Sequence, residues 1–435
     1  MMTEVLVKKV EKLSGTVRAP PSKAYTQRML IAAALSRGTS EIASPLVSDD
    51  TEATLRAVKG LGARVNVTED CWTVEGAAPL KGAEKPIDCG ESGATLRFII
   101  PVASLAAGPS IFVFGSSLER RPIKPLLQSL KQLGAEAHVR RRGDKSSIQV
   151  RGGGIIGGKT TMRGDVSSQF VSGLMFGCPM ARADTEIALS TPLESKGYVK
   201  MTELVLAEHY VKVSISKDFR RLCVPSNQTY KQCDHRVPGD FSSAAFLLAA
   251  AAITRSEVRV ENLDYGIEQG DKAILGILKN MGVNGKVCSD RVEIDGNGGL
   301  LAAVDVDARD IPDLVPVCAV LACYAKGVSR VHGARRLRYK ESDRLLSLCL
   351  ELRKMGADIT MDEDGLTVKG PCALHGCIVD PHNDHRIAMA LAVAGLGASG
   401  DTKIEDAECV RKSYPGFFSD LRVLGADVVG GEFDR

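Results

Sequence analysis

The chain has 435 residues, 44% of them hydrophobic but only 5% aromatic, and a formal net charge of +3. That length suits two domains with proper cores, the charge is too slight for a nucleic-acid binder, and the few aromatics exclude base-stacking platforms. Twelve cysteines without a C-x-x-C pair read as scattered reduced thiols. No run reaches the ~18 apolar residues of a membrane span and no signal peptide is expected, so a cytoplasmic location is predicted, with neither membrane nor nucleic acid as partner.

The chain opens on "EVLVKKVEKLSGTVRAP" from Glu4. "PSKAYTQRMLIAAAL" from Pro21 then places a polar cluster just before a helix of small apolar residues. The pattern returns as "ESGATLRFIIPVASLAA", "VSSQFVSGLMFG", "PGDFSSAAFLLAAAA", "RDIPDLVPVCAVLACYA" and "NDHRIAMALAVAGLG". Counted from Ser22, Glu91, Ser167, Gly239, Asp310 and Asn383, the intervals are 69, 76, 72, 71 and 73 residues, a period that marks an internal repeat. After each apolar helix a short strand is predicted, as in "TSEIASPL" and "SEVRVENL". A second, amphipathic helix follows and ends in Gly, as in "LRAVKGLGARVNV" and "LELRKMGADITM". Two strands close the unit. The third copy, "ELVLAEHYVKVSIS", lacks the Gly, and the sixth stops at "LRVLGADVVGGEFDR" without its last strand. The N-terminal segment is expected to complete that sixth repeat. Three copies per half predict two similar α/β (α+β) domains, residues 19–236 and residues 1–18 plus 237–435, linked by two crossings that leave only a hinge.

A helix N-terminus carries unpaired N–H groups and the positive end of the helix dipole, so six such ends are suited to holding anions. Lys23, Arg28, Arg97 and Arg386 lie at or just inside them. "SSLERRPIKPLL" adds Arg120, Arg121 and Lys124, with Pro122 expected to start a helix, and "VRKSYPGFF" adds Arg411 and Lys412. "RLRYKESDRLLSL" packs Arg336, Arg338, Lys340, Glu341, Asp343 and Arg344 together, and helical spacing puts Lys340 and Arg344 on one face. These are too many cations at equivalent positions for solvated faces alone. If the two domains face each other through their helix N-termini, the cations line one cleft.

Two other motifs read weakly. "GGIIGGKT", Gly153 to Thr160, fits the phosphate-loop expression, but "TTMRGD" follows where a long helix should open, which favours a Gly-rich connection between strands. His382 and His385 in "PHNDHR" have no third ligand patterned nearby, so no metal site is expected. Capping, and a polar task for His385, fit better.

The segments "PSKAYTQR", "GESGATLRF", "ERRPI", "VSSQF", "PGDFSSAAF", "IPD", "KESDR", "NDHR" and the lysine before "SYPGFF" occur in the order seen in one family. Over essentially its whole length the chain resembles the 5-enolpyruvylshikimate-3-phosphate synthases. The resemblance implies two domains, each of three βαβαββ units in a pseudo-threefold arrangement, closing around the substrates phosphoenolpyruvate and shikimate 3-phosphate. It implies no cofactor and a monomer. Shikimate 3-phosphate would be held by Lys23, Arg28, Ser167, Ser168, Gln169, Ser195, Asp313 and Lys340. Phosphoenolpyruvate would be held by Lys23, Gly93, Arg121, Gln169, Arg344, Arg386 and Lys412. Asp313, Glu341 and Lys23 would be catalytic, with Asp313 as base and Glu341 as acid. The chain departs from the family's usual pattern at Ala24 and Arg336.

The implied reaction adds the 5-hydroxyl to the enolpyruvyl carbon and then eliminates phosphate. Each phosphate brings about −1.5 to −2 charge and each substrate also a carboxylate, so roughly five negative charges need a cationic cage. Such a cage should spring open alone and close on its anions, which predicts hinge closure. The related transferase acting on UDP-N-acetylglucosamine uses a cysteine in a loop that here reads "FGSSLERRPI", without one. A nucleotide hydrolase built on Gly153 to Thr160 and a non-catalytic repeat scaffold are the rival functions of a different class. Gly93 resembles the small residue that leaves room for glyphosate, so sensitivity is expected.

Overall fold

Every apolar run found in the sequence is a helix, and nearly all of each helix is buried. Lys23–Leu35, Gly93–Ala103, Ser168–Gly177, Phe241–Ile253, Val315–Tyr324 and His385–Gly397 are the six. In Phe241–Ile253 twelve of the 13 residues are buried, from Phe241 to Ala252. A helix apolar on all sides must be enclosed by protein, and alanine lets its neighbours come close. The computed structural model describes residues 4–143, 145–296 and 299–433. It is a mixed α/β chain that divides into two compact units, Pro21–Val237 and Met1–Pro20 with Pro238–Arg435.

Among the described residues the strands form six four-stranded sheets of one design. An opening strand lies parallel to the second, and the last two strands run antiparallel beside it. In the second repeat, Ile87–Asp88 pairs in parallel with Ser110–Val113, which pairs antiparallel with Lys145–Val150, itself paired with Ala137–Arg142. The third repeat sets Gly158–Met162 beside Thr185–Leu189 in the same manner. The chain is therefore a βαβαββ repeat with swapped ends. The first repeat takes its opening strand, His235–Arg236, from the far end of its own unit.

The N-terminal segment divides its service, which corrects the expectation that all of it completes the sixth repeat. Val5–Val7 does so, between Thr402–Ile404 and Val428–Val429. Ser14–Arg18 instead opens the fourth repeat, parallel to Glu257–Glu261. Val5–Val7 buries Val5 and Val7 whereas Ser14–Arg18 buries only Val17, and neither short pattern says which sheet its strand joins.

The second helices end as the glycines predict, with Gly62, Gly134, Gly282, Gly356 and Gly425 all at positive φ. In the third copy Tyr210 takes that position at φ 62, a conformation a tyrosine adopts only under constraint. Helices Gly93–Ala103 and Ser168–Gly177 pack closely because Gly173 and Gly177 face the first helix's carbonyls. A Cβ on Gly177 would sit 2.9 Å from Pro101 O, and one on Gly173 would collide with Arg97 O. In the other unit, helices Phe241–Ile253, Val315–Tyr324 and His385–Gly397 pack on one another as a three-helix centre. Each buried Phe or Leu side chain there contributes about 1.5–3 kcal/mol. No described helix is long and apolar enough to cross a membrane.

Candidate active site

In the unit Pro21–Val237, polar residues gather at the starts of the apolar helices. Lys23 is the first residue of its helix, and its Nζ lies 3.0 Å from Asp50 Oδ2. One turn on, the buried amide nitrogen of Gln27, with two hydrogens to give, lies within 3.3 Å of Asp50 O and of the hydroxyls of Thr54, Ser92 and Thr95, tying three helix starts together. Arg28 is buried. It donates from Nε to Thr202 Oγ1 (2.8 Å), from Nη1 to Ala24 O (2.9 Å) and from Nη2 to Tyr198 O (3.1 Å). Its guanidinium lies over the rings of Phe98 (5.0 Å) and Tyr198 (5.7 Å). No carboxylate pairs with it among the described residues, and burial pulls its pKa down to about 10. A buried cation answered only by carbonyls, a hydroxyl and rings attracts an anion strongly.

Ser167 caps helix Ser168–Gly177 by accepting from the Gln169 N–H at 3.3 Å, and Ser168 is buried beside it. Ser195 precedes helix Lys196–Glu208 at φ 55, a left-handed setting uncommon for serine. Gln169 accepts from Arg97 Nη1 at 2.6 Å, and Arg97 also donates to Pro122 O and lies over the Phe170 ring. Arg121 is buried behind Gly93. A Cβ added to Gly93 would meet that guanidinium at 3.0 to 3.1 Å, so the missing side chain is what lets Arg121 lie there. Arg120 and Lys124 are exposed and take no part. Pro122 does not start the helix: Lys124–Gln132 does, with Pro125 in its first turn, because Ile123 occupies the cap.

In the other unit one arginine organises the site. Arg344 donates from Nε to Asp384 Oδ2 (2.8 Å), from Nη1 to Asp313 Oδ1 (2.8 Å) and from Nη2 to Glu341 Oε2 (3.0 Å). Around these carboxylates stand further cations. Lys340 Nζ is 3.7 Å and Arg386 Nε 3.5 Å from Asp313 Oδ1, and Lys412 Nζ is 3.6 Å from Glu341 Oε1. Burial pushes the Asp313 carboxyl up, but Arg386, Lys340 and Arg344 together hold it well below the usual carboxylate range. Burial brings Lys340 down to about 8, with Asp313 opposing and the neighbouring arginines assisting. Burial also works against the charge on Arg344, but Asp384, Glu341 and Asp313 outweigh it and raise its pKa.

The helical spacing expected between Lys340 and Arg344 is not what joins them. The helix starts only at Arg344, with Asp343 accepting from the Leu346 N–H, and Arg335–Tyr339 is a separate 3-10 turn. The loop between them still delivers both cations to Asp313. Arg336 donates from Nη2 to Arg309 O, and Arg411 is exposed. Asp384, rather than either histidine, caps helix His385–Gly397, while His382 contacts Glu351 at 3.0 Å. Among the described residues no group of three or more His, Cys, Asp or Glu could hold a metal ion. The Gly-rich motif at Gly153–Thr160 runs into strand Gly158–Met162, where Lys159 pairs with Glu186 at the surface.

Sequence reasoning passed over Asp50, Asp384 and Asp271. Asp50 and Asp384 sit in the first turn and at the cap of helices, where a carboxylate reads as ordinary capping. For Asp384 the signal available was that it caps a helix start already marked by Arg386; Asp50 lies at a helix start with no cation in its first turn.

The family model described as EPSP synthase (3-phosphoshikimate 1-carboxyvinyltransferase) matches residues 7–421. A 3-phosphoshikimate 1-carboxyvinyltransferase of Methanocorpusculum labreanum is 46% identical over 421 residues, 96% of this chain and 97% of its own. One of Methanocaldococcus jannaschii is 42% identical over 427 residues, 98% and 99% of the two chains. The solved structure of an EPSP synthase from Acinetobacter baumannii is similar at TM-score 0.83 and 25% identity, covering 98% of this chain and 99% of that one.

Proposed function

The chain belongs to the EPSP synthase family, and from that premise we propose how its own residues transfer the enolpyruvyl group of phosphoenolpyruvate to the 5-hydroxyl of shikimate 3-phosphate. The observation that carries the reading is the buried Arg28, which no carboxylate answers among the described residues. It takes the shikimate carboxylate, while Ser167, Ser168 and Ser195 at two helix starts, with Lys340, take the shikimate phosphate. Gln169, fixed by Arg97, sets the ring. Arg121, Arg386 and Lys412 bind phosphoenolpyruvate beside Gly93, and Lys23 serves both substrates.

Each guanidinium nitrogen of Arg344 donates to a carboxylate, so an incoming anion competes with these carboxylates for it. An anion that draws Arg344 and Lys412 toward itself removes the charges favouring the ionised form of Glu341. Glu341 then holds the proton that the methylene carbon of phosphoenolpyruvate requires. The same exchange at Arg386 and Arg344 frees Asp313 to accept the proton of the 5-hydroxyl. Addition yields a tetrahedral adduct. In elimination Glu341 takes a proton back from the new methyl group as the C–O bond to phosphate breaks, and the proton held by Asp313 leaves with the phosphate, whose departing oxygen Lys23 assists. We place the enzyme in the cytoplasm, as a monomer.

The test is phosphate release from phosphoenolpyruvate, followed with and without shikimate 3-phosphate. Release that depends on shikimate 3-phosphate, and falls by about 100-fold or more in Lys23→Ala or Glu341→Gln, is expected. Release that proceeds without it, or responds to UDP-N-acetylglucosamine instead, would overturn the reading.

A further inference from the structure

Asp271 lies in the 3-10 turn Gly270–Lys272, far in sequence from every motif above, and is only 3% exposed. The turn is fastened to the start of helix Phe241–Ile253. Gln269 Oε1 accepts from the Phe241 N–H at 3.0 Å, and Gln269 Nε2 donates to Gly239 O at 2.8 Å. Ser242 closes the arrangement. Its N–H goes to Asp240, its hydroxyl donates to Asp271 Oδ2, and its carbonyl accepts from Arg386 Nη1 at 3.3 Å. Arg386 in turn reaches Asp313 Oδ1 at 3.5 Å. A continuous path thus runs Asp271, Ser242, Arg386, Asp313. The second oxygen of Asp271, Oδ1, is buried without a hydrogen bond among the described residues.

We propose that Asp271 is a positioning residue for the enolpyruvyl transfer, its carboxyl proton deciding how much negative charge Arg386 already faces when an anionic substrate arrives. The proposal rests on the reading of function above. The charged and titratable groups facing Asp271 are Asp240 at the helix cap, Asp313 and Cys318 on the neighbouring turn and helix, and Arg386. Burial and the Asp313 charge raise its pKa to about 7, against the pull of Arg386 and the Ser242 hydroxyl. Burial therefore favours its protonated form well above the range where an ordinary carboxyl ionises. Protonated, it leaves Asp313 as the nearer carboxylate claim on Arg386. Ionised, it adds a second claim and repels an incoming anion. Anion binding and protonation of Asp271 then favour one another.

The experiment is the pH dependence of KM for phosphoenolpyruvate in the full-length enzyme and in Asp271→Asn, which keeps the shape and an oxygen for Ser242. From about pH 6 to about pH 8.5 the wild-type KM should rise about tenfold more than that of the variant, as a tenfold gain in the proton affinity of Asp271 on anion binding implies. The limb set by Lys340 appears in both, and kcat should move less than KM. Ser242→Ala removes the hydroxyl that favours the ionised carboxyl, so its limb should move to higher pH. Parallel profiles in all three proteins, or a loss confined to kcat with falling thermal stability, would overturn the proposal. A wild-type enzyme inactive with shikimate 3-phosphate would instead sink the reading of function, so the two failures are distinguishable.

Discussion

Arg28 in one unit and Arg344 in the other are both buried, yet Arg28 meets carbonyls, a hydroxyl and two rings whereas Arg344 meets three carboxylates. The difference teaches that a cationic site can be built in two ways. The unit 21–237 keeps the charge of Arg28 unanswered by any carboxylate among the described residues, at the price of desolvation, and so attracts an anion outright there. The other unit holds its cations in a balanced knot, where an anion must displace a carboxylate. Displacement is what a proton-transfer site needs, because it changes the charge around Glu341 and Asp313 when substrate arrives.

Removing the arginines one at a time separates the two designs. Arg344→Met strands Asp313, Glu341 and Asp384 without their shared partner and should cost about 3–5 kcal/mol of unfolding free energy by denaturant titration. Arg28→Met removes a cation no carboxylate answers, and should cost about 1 kcal/mol or less while raising KM for shikimate 3-phosphate by about 100-fold. Equal losses of stability would erase the comparison.

Weaker effects sharpen it. Below its ordinary value His209 is lowered to about 4, by burial first and then by His235, against the pull of Lys231 O and Glu208. The unfolded chain binds the proton near pH 6.5, so this contribution is present above that pH and is lost as pH falls toward 4. On the order of 3 kcal/mol should disappear over that window, and His209→Gln should flatten it in an acid titration of unfolding. Gly173→Ala pushes a methyl into Arg97 O and should cost about 1–3 kcal/mol, moving the Arg97–Gln169 pair with it. Gly93→Ala presses on Arg121, which must give by a few tenths of an ångström. Its KM for phosphoenolpyruvate should rise severalfold, and glyphosate, expected to lie in the same space, should bind more weakly still in an inhibition assay.

Much of this was legible in the sequence because helix starts are local. Small-apolar runs behind Ser, Asp or Asn announce all six buried helices, and cations beside them mark the site. What was not legible depends on distant pairing. Val5–Val7 and Ser14–Arg18 are neighbours along the chain but belong to different sheets. Helical periodicity misplaced Lys340 because Asp343 caps the helix after it, a choice settled by the Arg338 contact at 3.0 Å as well as by the cap. Asp271 gives no sequence signal, since its importance comes only from burial against Ser242 and the charge of Asp313.

Proton delivery to the methylene carbon of phosphoenolpyruvate, and its later removal, is the step on which every assigned role converges. The most direct measurement runs the reaction in deuterium oxide and reads the product's vinyl methylene by NMR. Deuterium should appear there only when shikimate 3-phosphate is present, and should be lost with Glu341→Gln. A product formed at full rate with no deuterium in its methylene would contradict the addition–elimination path and the role given to Glu341.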